Sequence, residues 1–402
     1  MRSSLLSQPL RVDVAQMKDW SALSAAAFKE HRALLWIVAL QVAVSWWMCL
    51  TAGRPLLVGL GDAYIAVVGA TIIFGPIAVA IRLVRRRPRG LPLAAGYRQV
   101  WRTLRKENFT PSWMTSVALL CLVMPLSLGV FSAAKQTIPV IHPFAWDAAI
   151  ENVGRRIHGG RHAWEWLQPV VGHPIVTVAL DHFYHLGWSL LILGTLALII
   201  VSPPSALRRR YATASVLLLF LVGTLVALAL SSAGPPYYDH VVYGPDPYAR
   251  LFAYLGTVGK YNPLISSGGR DVLWSAYRHG VDAFGLGISA MPSMHVATMT
   301  LVACLAFAVG PWLGIVASLC TVLMSIASIA LGWHYALDGY VGALLAIVVW
   351  WLAGWMERVV AAQSLAPSDS PSAWRPLDGR LTTANLQQGL VAVSSANEQG
   401  MG

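Results

Sequence analysis

An all-α, polytopic bundle of about eight membrane-spanning helices is the fold this sequence predicts. Three observations predict it. Hydrophobic residues make up 56% of the 402-residue chain and charged residues only 12%. That is roughly half the ~25% charge of a soluble domain, too little to solvate a globule of this length. Apolar runs near the ~20 residues needed to cross a bilayer recur along the chain. Lys and Arg gather in alternate links between those runs.

Taken in order, a polar leader over 1–33 carries Arg2, Arg11, Lys18, Lys29 and Arg32. The first run, 34–52, has no small-residue cleavage site after it, so it is expected to stay as a helix rather than leave as a signal peptide. A second run covers 60–82. The link 83–112 is strongly basic, with Arg85, Arg86, Arg87, Arg89, Arg98, Arg102, Arg105 and Lys106. Further runs cover 113–133, 173–201 and 213–232, the last two separated by a link holding Arg208, Arg209 and Arg210. The final three are 294–310, which is short, then 312–332 and 336–356. The tail beyond about 362 is rich in Ser, Ala, Pro and Gln without apolar periodicity, and is expected to be disordered.

If the spans alternate, the leader and both basic links fall on one side, which the positive-inside rule assigns to the cytoplasm together with both termini. The other side receives 53–59, 134–172, 233–293 and the turn near Trp333. In 146–157, Trp146, Ile150, Val153 and Ile157 fall on one helical face, and Asp147, Glu151 and Arg155 on another. This suits an outer helix lying in the membrane interface or an ordinary amphipathic connector. The long 233–293 segment, rich in Gly, Pro and Tyr, has the length of a functional loop. The net charge of +11 sits in short loops beside apolar runs. That placement serves topology and argues against a nucleic-acid partner. Cys49, Cys121, Cys304 and Cys320 lie in apolar runs without metal or disulfide spacing.

Two short stretches carry residues suited to chemistry. His334 and Asp338 are four apart at the start of the last span and share a helical face. A carboxylate there holds one imidazole nitrogen and frees the other to attack. The bland alternative is a His–Asp pair that merely caps a helix. In Met291-Pro292-Ser293-Met294-His295, Ser293 is the expected N-cap and His295 falls in the first turn of a helix. Free N–H groups at a helix start bind phosphate, and a His there is placed to donate a proton. Alternation of the spans brings His295 and His334 to the same outer face.

Together these motifs resemble the type 2 phosphatidic acid phosphatase superfamily. Its second motif, Pro-Ser-Gly-His, is matched from Pro292 to His295 with Met294 in place of Gly. Its third is matched at His334 and Asp338, with Ser328 where the family has Arg. Its first, Lys-x6-Arg-Pro, finds no match on the outer side. Met-Pro-Ser-Met-His followed by His-Tyr-x2-Asp is similar to the inositol phosphorylceramide synthase branch, whose members also lack that Arg. Ala233-Gly234-Pro235-Pro236-Tyr237-Tyr238 is similar to that branch's Pro-Pro-aromatic segment.

Apolar runs and composition divide the chain into a leader over 1–33, N-terminal helices over 34–134, a membrane domain over 135–360 and a tail over 361–402; the resemblance covers roughly 145–355 and implies that the 135–360 domain is catalytic, a six-helix core behind extra N-terminal helices. It implies that His334 attacks phosphorus, Asp338 orients it and His295 exchanges protons, without metal or cofactor. Ser293, Arg270, Lys260 and Arg250 are the candidate phosphate contacts, with Arg278 as a further cation. Tyr237, Tyr335, Asp181 and His185 are candidate headgroup contacts, although packing between helices is the alternative for Asp181 and His185. The expected partners are lipid phosphates and membrane lipids in a bacterial plasma membrane, with the site outside the cytoplasm. Three functions stay open: a lipid phosphotransferase of the inositolphosphotransferase kind, a lipid phosphate phosphatase, and a transporter or scaffold. A transporter would place polar residues at mid-membrane. Here they gather at one interface.

Overall fold

The computed structural model describes residues 25, 27–86, 92–108 and 110–365. The leader's Arg2, Arg11 and Lys18, the residues Arg87 and Arg89, and the tail beyond 365 lie outside them. The chain divides into two compact units, 1–361 and 362–402. The first unit is all-helical and without strands among its described residues.

The helices are α1 (Arg32–Ala52), α2 (Leu60–Arg85), α3 (Leu93–Asn108), α4 (Pro111–Ile141), α5 (Asp147–Ile157), α6 (Ala163–Val171), α7 (Pro174–Ile200) and α8 (Ala206–Ala229). They continue with α9 (Ala249–Tyr261), α10 (Ile265–His279), α11 (Met294–Val309), α12 (Pro311–Ala330) and α13 (Ala336–Leu365). Among the described residues, seven helices are long and apolar enough to cross a membrane, namely α1, α2, α4, α7, α8, α12 and α13. The eighth expected span, α11, has 16 residues and is the short one of the set. Ile65, Ile175 and Leu344 turn outward at 75%, 85% and 61% exposure. Such apolar surface belongs in lipid, and the protein is an integral membrane protein.

Two spans differ from their expected bounds. α4 continues to Ile141 instead of stopping near 133, because its polar residues are satisfied within the helix. Gln136 Nε2 donates to Ser132 O at 3.0 Å and Thr137 Oγ1 to Ala134 O at 2.8 Å. The helix ends where His142 turns extended ahead of Pro143, the conformation that a following proline favours. α8 begins at Ala206 instead of 213, capped by Ser205 Oγ accepting from Arg208 N at 3.1 Å. The segments read as links also fold: 83–112 contains α3, and 233–293 contains α9 and α10.

Contacts at the two ends of the bundle sort the links as alternation requires. At one end, Arg54 in the α1–α2 turn pairs with Asp282 at 2.6 Å. At the other, Arg82 donates to Ser202 at 3.0 Å, and Arg209 meets Glu30 at 3.3 Å and Glu357 at 3.1 Å. α5 is helical where expected, with its faces disposed in an unexpected way. Asp147 and Glu151 are buried, whereas Trp146, Val153 and Ile157 are exposed. The carboxylates point into the protein because donors wait there, Ile150 is buried with them in an apolar core, and Trp146, Val153 and Ile157 are left for the interface.

Two apolar cores hold the bundle. One joins α1, α4, α8, α11 and α13 around Leu34, Leu120, Leu218, Leu301 and Trp350. The other joins α7, α9, α11 and α12 around Tyr184, Leu255, Met299 and Met324. α11 serves both, with Ala297 in the first and Val296 in the second. Its first turn, carrying His295, therefore lies where the two cores meet.

The turn from α7 to α8 rests on one buried cation. Arg208 donates to Ile199 O at 3.1 Å, Ile200 O at 2.7 Å and Ser116 Oγ at 2.9 Å. Arg208→Met should strip these acceptors and lower unfolding stability in detergent by roughly 2–3 kcal/mol. The partly exposed Arg209→Ala should cost about 1 kcal/mol or less. Thermal unfolding followed by circular dichroism reads the difference.

Candidate functional site

The site begins with the turn between α12 and α13. Gly332 takes φ +68, a conformation that disfavours side chains, and lets the chain reverse. Ser328 O then accepts from Trp333 N at 3.0 Å, so the residue standing in the family's Arg position holds the turn through its backbone. His334 follows. Its Nδ1 meets Asp338 Oδ2 at 3.2 Å, and the same oxygen accepts from Tyr335 N at 3.0 Å. Asp338 is fully buried and His334 is 10% exposed at its side chain. With Nδ1 committed to the carboxylate, Nε2 is the nitrogen left for substrate.

His295 lies opposite, with 6.2 Å between the ring centroids of the two histidines. Its Nδ1 meets Tyr184 OH at 3.1 Å, and its ring stacks on Tyr184 at 4.2 Å beside Trp188 at 4.4 Å. When the ring is protonated, Nδ1–H donates to the Tyr184 oxygen and Nε2–H is the proton the ring can give as a general acid. The two motifs are joined directly, since Ser293 N donates to Asp338 O at 3.0 Å. Gly342 permits this approach, because a Cβ there would stand 2.7 Å from Ser293 O.

Both histidines line a cavity of about 490 Å³, with Tyr184, His185, Trp188, Tyr237 and Trp333 also on its wall. Lys135 of α4 lines it too. Counting apolar residues ends the third span at 133 and so passes over it. A signal is present in the sequence. Six residues separate Lys135 from His142-Pro143, the spacing of the family's first motif with His in the Arg position. His142 itself turns away, its Nδ1 meeting Leu228 O at 2.7 Å.

The other candidates separate. Tyr237 and His185 are on the cavity wall. Arg270 is half-buried beside it on α10, its guanidinium 4.5 Å from the Phe252 ring centroid and its backbone O accepting from Tyr237 OH at 3.0 Å. Burial lowers its pKa from the ordinary guanidinium value, against the opposing influence of Tyr237, Asp271 and Asp181. Arg250, Lys260 and Arg278 are exposed and are not on the cavity wall. Ser293 is also off the wall, fully buried, and makes no side-chain cap for α11. Its hydroxyl has no hydrogen-bond partner in the protein.

Asp181 is engaged elsewhere. It accepts from Ile265 N at 2.7 Å and Ser266 N at 3.0 Å, capping α10 from a neighbouring helix, and also from Ser266 Oγ. Ser266 Oγ in turn meets His185 Nε2 at 3.1 Å and Trp333 Nε1 at 2.9 Å. Tyr335 sits behind the site, its hydroxyl donating to Asp147 Oδ1 at 2.7 Å. Asp147 also accepts from Ala233 N at 2.9 Å and Gly234 N at 2.7 Å. Glu151, one turn on, accepts from Tyr248 OH and pairs with His162. Among the described residues, no group of three His, Cys, Asp or Glu side chains is placed to hold a metal ion.

A family model described as the PAP2 superfamily matches residues 148–352, which include both histidines and Asp338. The chain belongs to the PAP2 superfamily. Membership supports phosphatase or phosphotransferase chemistry on phosphate esters. No curated protein and no solved structure matches the chain. The superfamily match begins after Lys135 and α4, which line the cavity from outside the matched residues.

Sequence pattern places Asp147 only on the polar face of a helix, yet it ties α5, the 233–234 backbone and the His334 turn together. Asp147→Ala should leave three donors unmatched and cost roughly 3 kcal/mol or more. Asp147→Asn, which keeps an acceptor, should cost less. Thermal unfolding of both variants against the exposed control Asp239→Ala reads this.

Proposed function

We propose that this PAP2 protein is a membrane phosphotransferase acting on lipid-linked phosphate through a phosphohistidine, of the inositolphosphotransferase kind. The observation that carries it is the pair of imidazoles 6.2 Å apart, one bound to a buried carboxylate. That spacing suits one phosphoryl group between them, since reacting atoms approach to about 3–3.5 Å.

In this reading His334 Nε2 attacks phosphorus and the bond to the leaving oxygen breaks. His295, protonated on both ring nitrogens, gives its Nε2 proton to that oxygen and becomes neutral. Asp338 holds His334 in the attacking tautomer and balances its charge while the phosphorus is attached. An acceptor hydroxyl then gives its proton to His295 and attacks the phosphohistidine, which restores both rings. Lys135 is the cation for the equatorial oxygens, the part played elsewhere in the family by the Arg replaced here by Ser328. Transfer is favoured over hydrolysis by the aromatic and apolar wall, with Trp188, Tyr184 and Trp333 around the rings, which disfavours water as acceptor.

Purified protein in mixed lipid with a labelled donor should yield new phospholipid in excess of free phosphate. Free phosphate alone would replace this reading with a phosphatase. His334→Ala should lower the rate about 1000-fold or more, His295→Ala about 100-fold or more, and Lys135→Met about 100–1000-fold. Near-full activity in His334→Ala would rule the mechanism out.

The site is taken to face away from the cytoplasm, by the positive-inside rule. Tyr243, fully exposed in the segment after α8, then lies outside the cell. Tyr243→Cys should react with an impermeant thiol reagent in intact cells, and reaction only after lysis would reverse the orientation.

A further inference from the structure

The cavity under the two histidines is deeper than a phosphate requires. It descends between α4, α7, α8 and α11 to Leu196, Tyr211 and Ser215. Along α4 from Lys135 to Met124, and along α7 from His185 to Leu196, the descent is about 16 Å at ~1.5 Å per residue. That is about one leaflet of a bilayer whose hydrocarbon core is roughly 30 Å thick. The volume of about 490 Å³ leads to the same scale. That is room well beyond a phosphate group and enough for an alkyl chain of leaflet length. Every ionisable Lys or His on the wall is at the mouth, namely Lys135, His185, His295 and His334; below them the wall is apolar apart from Tyr211 and small hydroxyls.

We propose that this chamber takes one hydrocarbon chain of the phosphorylated lipid, about as long as one leaflet is deep, roughly 15 Å, and that Leu196, Tyr211 and Ser215 set its length limit. The inference rests on reading the mouth as a lipid phosphate site. The phosphate sits at Lys135 and the histidines, and the chain runs down toward α8. A lipid with two chains leaves the second in the surrounding bilayer. Ser215 is half-buried and on the chamber wall, so a larger side chain there shortens the chamber from its floor.

The test is photo-crosslinking of the full-length protein in lipid nanodiscs. The probes are monoalkyl phosphates of about 10, 16 and 22 carbons, each carrying a terminal diazirine. The 16-carbon probe should label peptides containing Leu196 and Ser215. Ser215→Phe and Leu196→Trp should each cut that labelling about tenfold and leave labelling by the 10-carbon probe intact. Label confined to outward residues such as Leu190 and Leu198, or wild-type labelling that favours the longest probe, would overturn the proposal. Crosslinking needs no turnover. A labelled chamber in a protein that transfers no phosphate would therefore defeat the enzymatic reading alone, and transfer without chamber labelling would defeat this one alone.

Discussion

The site depends on one buried carboxylate. Asp338 binds the His334 ring and the Tyr335 N–H through a single oxygen, and its own backbone carbonyl takes the N–H of Ser293. One residue thus fixes the orientation of one histidine and the position of the helix that carries the other. A buried carboxylate is costly unless its donors are in place. The turn at Gly332 and the close approach at Gly342 are the backbone conditions that bring them there.

Around that centre, further carboxylates brace the frame without standing on the cavity wall. Asp147 collects Tyr335 OH and two backbone N–H groups, and Asp181 caps α10. Their donors come from segments far apart in sequence, so each bond closes a long loop and holds an outer segment on the membrane helices. The cavity wall itself carries Lys135, the two imidazoles and aromatic rings. Acid in the frame and base on the wall suit an anionic ligand, because a carboxylate at the wall would repel the phosphate that a cation attracts.

Much of this is legible in the sequence. Spans announce themselves because lipid demands continuous apolar runs, and the histidine motifs because an ionisable pair at a helix start has few bland explanations. Lys135 is not legible by the same rule. Counting apolar residues ends the third span before a helix that continues by satisfying its own polar side chains. Asp147 and Asp181 are hard to place for a related reason. Amphipathic patterning assigns carboxylates to water, whereas here backbone N–H groups from distant segments draw them inside. Ser293 shows the reverse case: a residue of N-cap type at an N-cap position makes its decisive contact through the backbone. Among four loop cations of equal sequence merit, only Arg270 is packed beside the site, because α10 folds there and Asp181 caps it.

The claim on which the account stands is that His334 carries the phosphoryl group during turnover. Rapid quenching of the protein with a radiolabelled lipid phosphate donor, followed by peptide mapping under alkaline conditions, measures this directly. The account predicts an acid-labile, alkali-stable label on the peptide containing His334, which disappears when acceptor lipid is added. A label on another residue, or turnover in which no labelled protein forms, would contradict it.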